Sequence, residues 1–431
     1  MVNGRRWLVF IFVLYFLLGV GYSLLMPIWE APDEPAHYHL AWRLARLGAY
    51  ATQKLNYEAN QPRTFYYLGS FVIHALDKVD THYSDYYVPF EYKYNIRVAE
   101  RRFDWNAENY RFLLGVHMLR WFNLLSGALA LWINWKSFGL IVPDIPTLRL
   151  AALALAALTP QYLHIMSSVS NDALGTLAGA LLFYLALCVV NNSNNLVNVF
   201  SITLALILPL TTKLTALPTG AAVFFIVAWN WLFGMRQKRW LVITGLILLS
   251  GAGILYFFFP EVIRSAQSEL TWRLFSLRKN ALTEKYLAFI SSQIIWTYWG
   301  KVGWVAVGLP YWIIDILTVF GLIGIVIRIY KLIKSKPSDP QFRVWIATVL
   351  AASFTVLAVA RNGLTTGATQ GRFLFPAIGA LSLLMVSGWH DVLPERVQRK
   401  LPFVMIALMV ALNLGLWIFG VIPVYYQPFL D

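Results

Sequence analysis

Two adjacent carboxylates, Asp33 and Glu34, stand between Pro32 and Pro35, with His37 just behind, in the stretch Pro27-Ile28-Trp29-Glu30-Ala31-Pro32-Asp33-Glu34-Pro35-Ala36-His37-Tyr38. A carboxylate fixed beside a reacting hydroxyl can take its proton as a general base, and carboxylate oxygens can also hold a divalent cation. Proline suits the first turn of a helix, where its missing N–H has no partner to lose. Asp33 is therefore expected to cap a helix over 35–47, with Glu34 in its first turn. Leu40, Leu44 and Leu47 would share one face of that helix and Arg43 and Arg46 lie on others, as in a helix lying in a membrane interface. The same residues fit an ordinary capped loop helix without chemistry.

A second acid, Asp172, follows Ser170-Asn171 at the start of an apolar run. Charge near a helix end in a membrane usually faces a bundle interior or cavity, although an N-cap gives this one a structural reason as well. The cations to set against these acids are Lys213, in Thr211-Thr212-Lys213, and Arg372, in Gln370-Gly371-Arg372-Phe373. Both fall where positive charge is otherwise scarce. A lipid phosphate would account for them, and so would snorkelling to headgroups. The segment Trp296-Thr297-Tyr298-Trp299-Gly300-Lys301-Val302-Gly303-Trp304 suits a sugar-stacking platform and an interfacial aromatic belt equally well. His37 could ligate a metal with Asp33, but a packed histidine has the same sequence. No two histidines share a helix turn with a glutamate in the zinc-protease pattern.

These residues must be positioned by membrane helices. The chain of 431 residues is 58% hydrophobic and 13% charged, with mean hydropathy +0.59, which excludes a soluble domain of this size. Long apolar runs without alternating polarity make the fold all-α and polytopic, with about eleven membrane-spanning helices in a single integral domain. The runs are 7–26, 112–135, 148–166, 173–190, two within 196–233, then 240–259, 311–329, 344–360, 373–388 and 401–421. The first is too long for a signal-peptide core and lacks a small-residue cleavage site, so it is read as retained. Two polar stretches, 27–111 and 260–309, cannot span; the first should carry short interfacial helices, one of them over 62–76.

The net charge of +14 would suggest nucleic acid in a soluble protein. Here it is assigned to cytoplasmic flanks, because Arg5, Arg6, Lys136, Arg236, Lys331 and Arg399 all fall in alternate loops. That bias places the N-terminus inside, the C-terminus outside, and Asp33, Asp172 and both polar stretches on the outer face. The lone Cys188 permits no disulfide within the chain.

The order of these features resembles the GT-C superfamily of polytopic membrane glycosyltransferases, and most of all a bacterial branch known mainly as predicted membrane proteins. The stretches that carry the resemblance are Pro32-Asp33-Glu34-Pro35-Ala36-His37, Ser170-Asn171-Asp172, Trp299-Gly300-Lys301-Val302-Gly303-Trp304 and Gln370-Gly371-Arg372-Phe373. It implies a GT-C-like bundle that moves a hexose or pentose from a polyprenyl-phosphate donor to a hydroxyl of a glycan, lipid or protein at the outer face of the cell membrane. On it, Asp33 matches the first-loop acid, a base or metal ligand, with Glu34 its neighbour, and Asp172 matches the second acid. Arg372 and Lys213 would hold the donor phosphate. His37, Trp299, Lys301, Trp304 and Gln370 would contact substrate. Some members need a divalent metal such as Mg or Mn, for which Asp33 and Asp172 are the candidate ligands. Two other functions compete: a transporter or flippase of lipid-linked sugars, and a non-catalytic membrane scaffold. Transporters favour ionisable residues near the bilayer midplane and repeated halves, and this chain shows neither.

Overall fold

The structure, a computed structural model, describes residues 4–50, 52, 55–76, 110–191, 195–233, 277–278, 280–336, 340–367 and 369–426. Seven of its helical segments are long and apolar enough to cross a membrane: Gly4–Leu25, Phe112–Ile141, Asp172–Asn191, Tyr311–Lys334, Gln341–Thr366, Gly371–Val392 and Leu401–Tyr425. Three shorter apolar helices, Pro146–Leu158, Asn195–Thr211 and Leu214–Trp229, pack among them. The chain is an integral membrane protein of all-helical bundle fold. The helix expected over 240–259, the stretch 77–109 and the part of the second polar stretch over 260–276 lie outside the described residues.

The order along the chain is α1 (Gly4–Leu25), α2 (Glu34–Leu47), α3 (Thr64–Ala75), α4 (Tyr110–Ile141), α5 (Pro146–Leu158), α6 (Pro160–Met166), α7 (Asp172–Asn191), α8 (Asn195–Thr211), α9 (Leu217–Phe233), α10 (Glu284–Trp299), α11 (Tyr311–Lys334), α12 (Pro340–Thr366), α13 (Ile378–Val392) and α14 (Leu401–Leu416). A two-residue β-ladder, Lys301–Val302 against Val307–Gly308, lies between α10 and α11. Val9, Val13, Leu17 and Leu24 stay exposed along α1, as a lipid-facing stripe must. The segments Asp172–Asn191 and Gly371–Val392 are instead the most enclosed, and the charged residues at their starts face protein rather than lipid.

Two prolines shape the bundle where one uninterrupted helix was expected. The run 148–166 is broken at Thr159–Pro160 into α5 and α6. Pro160 cannot donate to the helix ladder, and it drives Thr159 to φ −59°, ψ 123°, outside helical space. The run at 373–388 likewise begins as a 3₁₀ segment, Gly371–Ala377, that contains Pro376. α7 can lie against this segment because Gly179 faces the Pro376 backbone with no room for a Cβ. On the same helix, Gly175 faces Lys213, whose Cβ would lie 2.9 Å from an added methyl. These glycines sit one and two turns below Asp172, so they set how closely Arg372 and Lys213 approach it. Gly179→Leu should push the 3₁₀ segment away from α7 and lower the yield of folded protein, measured by size-exclusion chromatography in detergent.

The helix after Asp33 differs from expectation in kind. Glu34 to Ala41 are all buried, so the first half of α2 is packed all round rather than lying flat with one apolar face. Leu40 is buried, but Leu47 is exposed at the far end. Asp33 occupies the N-cap position in a left-handed conformation, φ 64°, ψ 2°, and its side chain makes no capping hydrogen bond. A non-glycine residue held there costs about 1 kcal/mol or more, so the surroundings must over-determine it. The carboxylate has been turned away from the helix it precedes.

Candidate functional site

What Asp33 turns towards is Arg372. The guanidinium Nη2 lies 2.6 Å from Asp33 Oδ2. Its Nη1 reaches Asp172 Oδ2 at 3.4 Å. Asp172 Oδ1 in turn pairs with Lys213 Nζ at 2.7 Å, and Asn171 Oδ1 accepts from the same ammonium at 2.6 Å. Tyr57 donates its hydroxyl to Asp33 Oδ1 at 3.1 Å. Four residues spread over the chain thus form one alternating line of charge, Asp33–Arg372–Asp172–Lys213, at one end of the bundle. Ser170 accepts the Asp172 backbone N–H, so Asp172 is the first residue of α7 rather than its cap.

The line borders a cavity of about 660 Å³ whose walls include Asp33, His37, Glu58, Lys213, Gln370 and Arg372. Arg372 is 5% exposed, and its Nε has no hydrogen-bond partner among the described residues. Gln370 Oε1 is likewise buried and unpartnered. An unpaired buried donor is costly unless something completes it. Arg372 is itself on the cavity wall, so its guanidinium sets a fixed positive charge there. Next to this polar space lies a second, apolar cavity of about 340 Å³ between α9 and α12, and Leu214, Thr215, Asn362 and Phe373 line both.

His37 lines the cavity, its Nδ1 2.9 Å from the Tyr66 hydroxyl and its ring stacked on the Tyr66 ring at 21°. Burial, helped by the Lys213 charge, pushes its pKa down to about 3, so it is neutral across the physiological range. Trp304 also borders the cavity, from the tip of the β-turn, where its Nε1 donates to the Trp29 carbonyl at 2.9 Å. The neighbouring Val305 has φ 64°, an unusual conformation for a β-branched residue, and it too lines the cavity.

Three expected site residues are placed elsewhere. Glu34 is fully buried behind the cavity wall and is consumed by Arg120, whose Nε and Nη2 lie 2.8 and 2.7 Å from its two oxygens. It also accepts the backbone N–H groups of Trp29 and Val169. Arg120 spends its remaining donors on the carbonyls of Ser23, Met26 and Pro27. This knot ties the end of α1, the start of α2, α4 and the turn before α7 into one block, and the carboxylate has no capacity left for a substrate. Trp299 is 3% exposed and donates to Thr318 on α11, so it is core. Trp299→Ala should therefore lower thermal stability by about 3–5 kcal/mol without a specific loss of ligand binding, measured by thermal denaturation and by binding at a temperature where both proteins are folded. Lys301 leans over the Trp296 and Tyr311 rings on the outside of the ladder and does not reach the cavity.

Sequence reading missed Glu58, Tyr57 and Gln61. They come from the loop between α2 and α3, which Asn56 holds in place by donating to the Ala36 carbonyl at 2.9 Å. Glu58 sits on the cavity wall, and its pKa is raised to about 7. Burial is the main cause and the Asp33 charge the next, opposed by Lys213 and Arg372.

The acids do not make a divalent-metal site as they stand. Asp33 and Asp172 are each paired with a protonated side chain, and a divalent ion between them would sit against Arg372 and Lys213. Among the described residues no group of three or more His, Cys, Asp or Glu side chains surrounds a common point.

No protein-family model matches the chain, and no curated protein matches it in sequence. Solved structures of one protein are among those that resemble it in fold. The apo structure of ArnT from Cupriavidus metallidurans superposes with TM-score 0.50 at 13% identity, over 98% of this chain and 74% of that one. A structure of ArnT from the same organism bound to undecaprenyl phosphate gives 0.49 at 13% identity, over 97% and 74%. The chain thus shares its fold with the apo ArnT structure.

Proposed function

We propose that the protein is a membrane glycosyltransferase that moves a sugar from a polyprenyl-phosphate donor to an acceptor hydroxyl. The observation that carries the reading is the pair of adjoining cavities: a polar one with two fixed cations, and an apolar one beside it between α9 and α12. A lipid-linked sugar has this division. Its phosphate needs positive charge, its prenyl chain needs an apolar groove opening towards lipid, and its sugar lies where the two meet. As the bond from sugar to phosphate breaks, charge grows on the departing phosphate oxygen. Donors already aimed at that oxygen stabilise the transition state without having to reorganise.

In this reading Arg372 and Lys213 hold the phosphate. Asp33 and Asp172 act by aiming those cations, since a carboxylate bound to a guanidinium at 2.6 Å is a poor proton acceptor. Gln370, His37 and Trp304 are the wall groups available to the sugar. The finer likeness, to a bacterial branch of the superfamily, rests on the four sequence motifs. The cavity lies at the end of α1 away from Arg5 and Arg6, and at the end of α11 away from Lys331 and Lys334. That supports an outer-facing site with the N-terminus in the cytoplasm. Ionisable groups gathered at one end, rather than at mid-depth, favour transfer over transport.

The test is transfer by the purified protein in lipid nanodiscs, with a panel of radiolabelled polyprenyl-phosphate hexoses and pentoses. Asp172→Asn should lower turnover about 10²-fold by loosening both cations. A full-activity Asp172→Asn protein, or wild type that fails to bind undecaprenyl phosphate, would sink the reading. Fixed cations here do the work a metal would otherwise do, so EDTA should leave transfer unchanged, measured by the same assay with and without added Mg or Mn.

A further inference from the structure

Only two carboxylates reach the polar cavity among the described residues, Asp33 and Glu58. Asp33 is committed: Arg372 takes one oxygen and the Tyr57 hydroxyl the other. The Glu58 carboxylate is not. Its backbone N–H donates to Asn56 Oδ1, which fixes the loop, while its side chain has no hydrogen bond or ion pair to a described residue. It is held at the wall of a cavity large enough for a sugar, next to a tyrosine that already marks the site.

We infer that Glu58 is the general base of the transfer, taking the proton of the acceptor hydroxyl while Arg372 and Lys213 stabilise the leaving lipid phosphate. This rests on the glycosyltransferase reading and names the role that reading leaves open. The step balances within the site. The acceptor O–H proton passes to a Glu58 oxygen, and the acceptor oxygen forms a bond to the anomeric carbon. The bond from that carbon to the phosphate oxygen breaks, and its electron pair leaves with the polyprenyl phosphate. Two acids with unlike surroundings divide the labour: one is locked to a cation, the other is left free to exchange a proton.

The groups that face Glu58 define its titration. Asp33 lies before α2, Tyr50 after it, Tyr66 on α3, Asp172 on α7, Lys213 after α8 and Arg372 before α13. Burial and the two aspartates outweigh the two cations, so Glu58 changes charge near neutrality, where a base works best. A raised carboxyl pKa means that the folded state holds a proton the unfolded chain has released. Wild-type stability must therefore fall as the pH rises from about 4.5 to about 7, and the low-pH advantage is gone above that window.

Three measurements on wild type, Glu58→Gln and Glu58→Asp test the inference. The first needs no substrate: the melting temperature of wild type should fall relative to Glu58→Gln between pH 5 and pH 8. Parallel curves over that range overturn the inference. The second is binding of undecaprenyl phosphate by native mass spectrometry, which should agree within about threefold between wild type and Glu58→Gln. If wild type does not bind it, the glycosyltransferase reading fails and the base with it. If wild type binds it but Glu58→Gln does not, Glu58 belongs to the phosphate site and the inference alone is wrong. The third is turnover. Glu58→Gln should lose about 10²–10⁴-fold in kcat with little change in donor KM, and should lose the rise in rate towards pH 7. Glu58→Asp should restore part of both. Turnover of Glu58→Gln within threefold of wild type, or an unaltered pH profile, overturns the assignment and leaves the phosphate site standing.

Discussion

On the proposed function, Arg372→Gln should lower the rate of sugar transfer by about 10²–10³-fold, the expected loss when one preorganised donor to a developing anion is removed. The loss has two sources that can be separated. Arg372 bridges Asp33 and Asp172, so its removal takes the guanidinium from both and leaves Asp172 with Lys213 as its cation. The positive charge that Arg372 sets on the cavity wall is lost as well. Arg372→Lys keeps the charge but cannot fork between two carboxylates while also reaching into the cavity. It should therefore recover stability without recovering rate. The measurement is kcat and donor KM for both variants beside their melting temperatures. If Arg372→Lys turns over at the wild-type rate, the fork has no role and a point charge suffices.

Arg120→Met should destabilise the fold by about 3–5 kcal/mol, because it strands the Glu34 carboxylate in the protein interior. Both partners are fully buried, so solvent cannot relieve the charge left behind. The three carbonyls that Arg120 satisfies are stranded as well. The double variant Glu34→Gln, Arg120→Met removes both charges and should be more stable than Arg120→Met alone, which a thermal-denaturation cycle of the four proteins would show. A double variant as unstable as the sum of the singles would mean the ion pair contributes nothing beyond its hydrogen bonds. Neither Glu34 nor Arg120 lines the cavity, so a folded double variant should keep binding undecaprenyl phosphate.

The gathering of Asp33, Asp172, Lys213 and Arg372 was legible in sequence because each sits at the boundary of an apolar run, where charge stands out against its neighbours. Glu58 gave no such contrast. It belongs to a polar loop in which any acid reads as solvated, and only the folded chain shows that the loop turns inward. Arg120 was visible as a lone cation inside the run 112–135, and an intramembrane arginine demands a partner. Its partner, Glu34, was instead grouped with Asp33 because they are adjacent. A helix start points successive side chains in different directions, so neighbours in sequence parted company, one to the cavity and one to the block behind it. Pro160 carried the break in 148–166 in plain view. For Trp299 and Trp304 the residue type was uninformative: each donates its indole N–H, one to Thr318 inside the bundle and one to a carbonyl beside the cavity.

The line of charge also imposes a schedule on biogenesis. The ribosome delivers its members in the order 33, 172, 213, 372, so the acids reach the membrane before either cation. Glu34 meets Arg120 early, and the first block can close while synthesis continues. Asp33 has to wait for the last quarter of the chain before its counter-charge arrives. Until then the pair of Asp33 with Arg372 cannot form, and the line of charge stays incomplete. A chain that stops short of residue 372 never completes that line, and membrane proteases would meet it as an unfinished molecule.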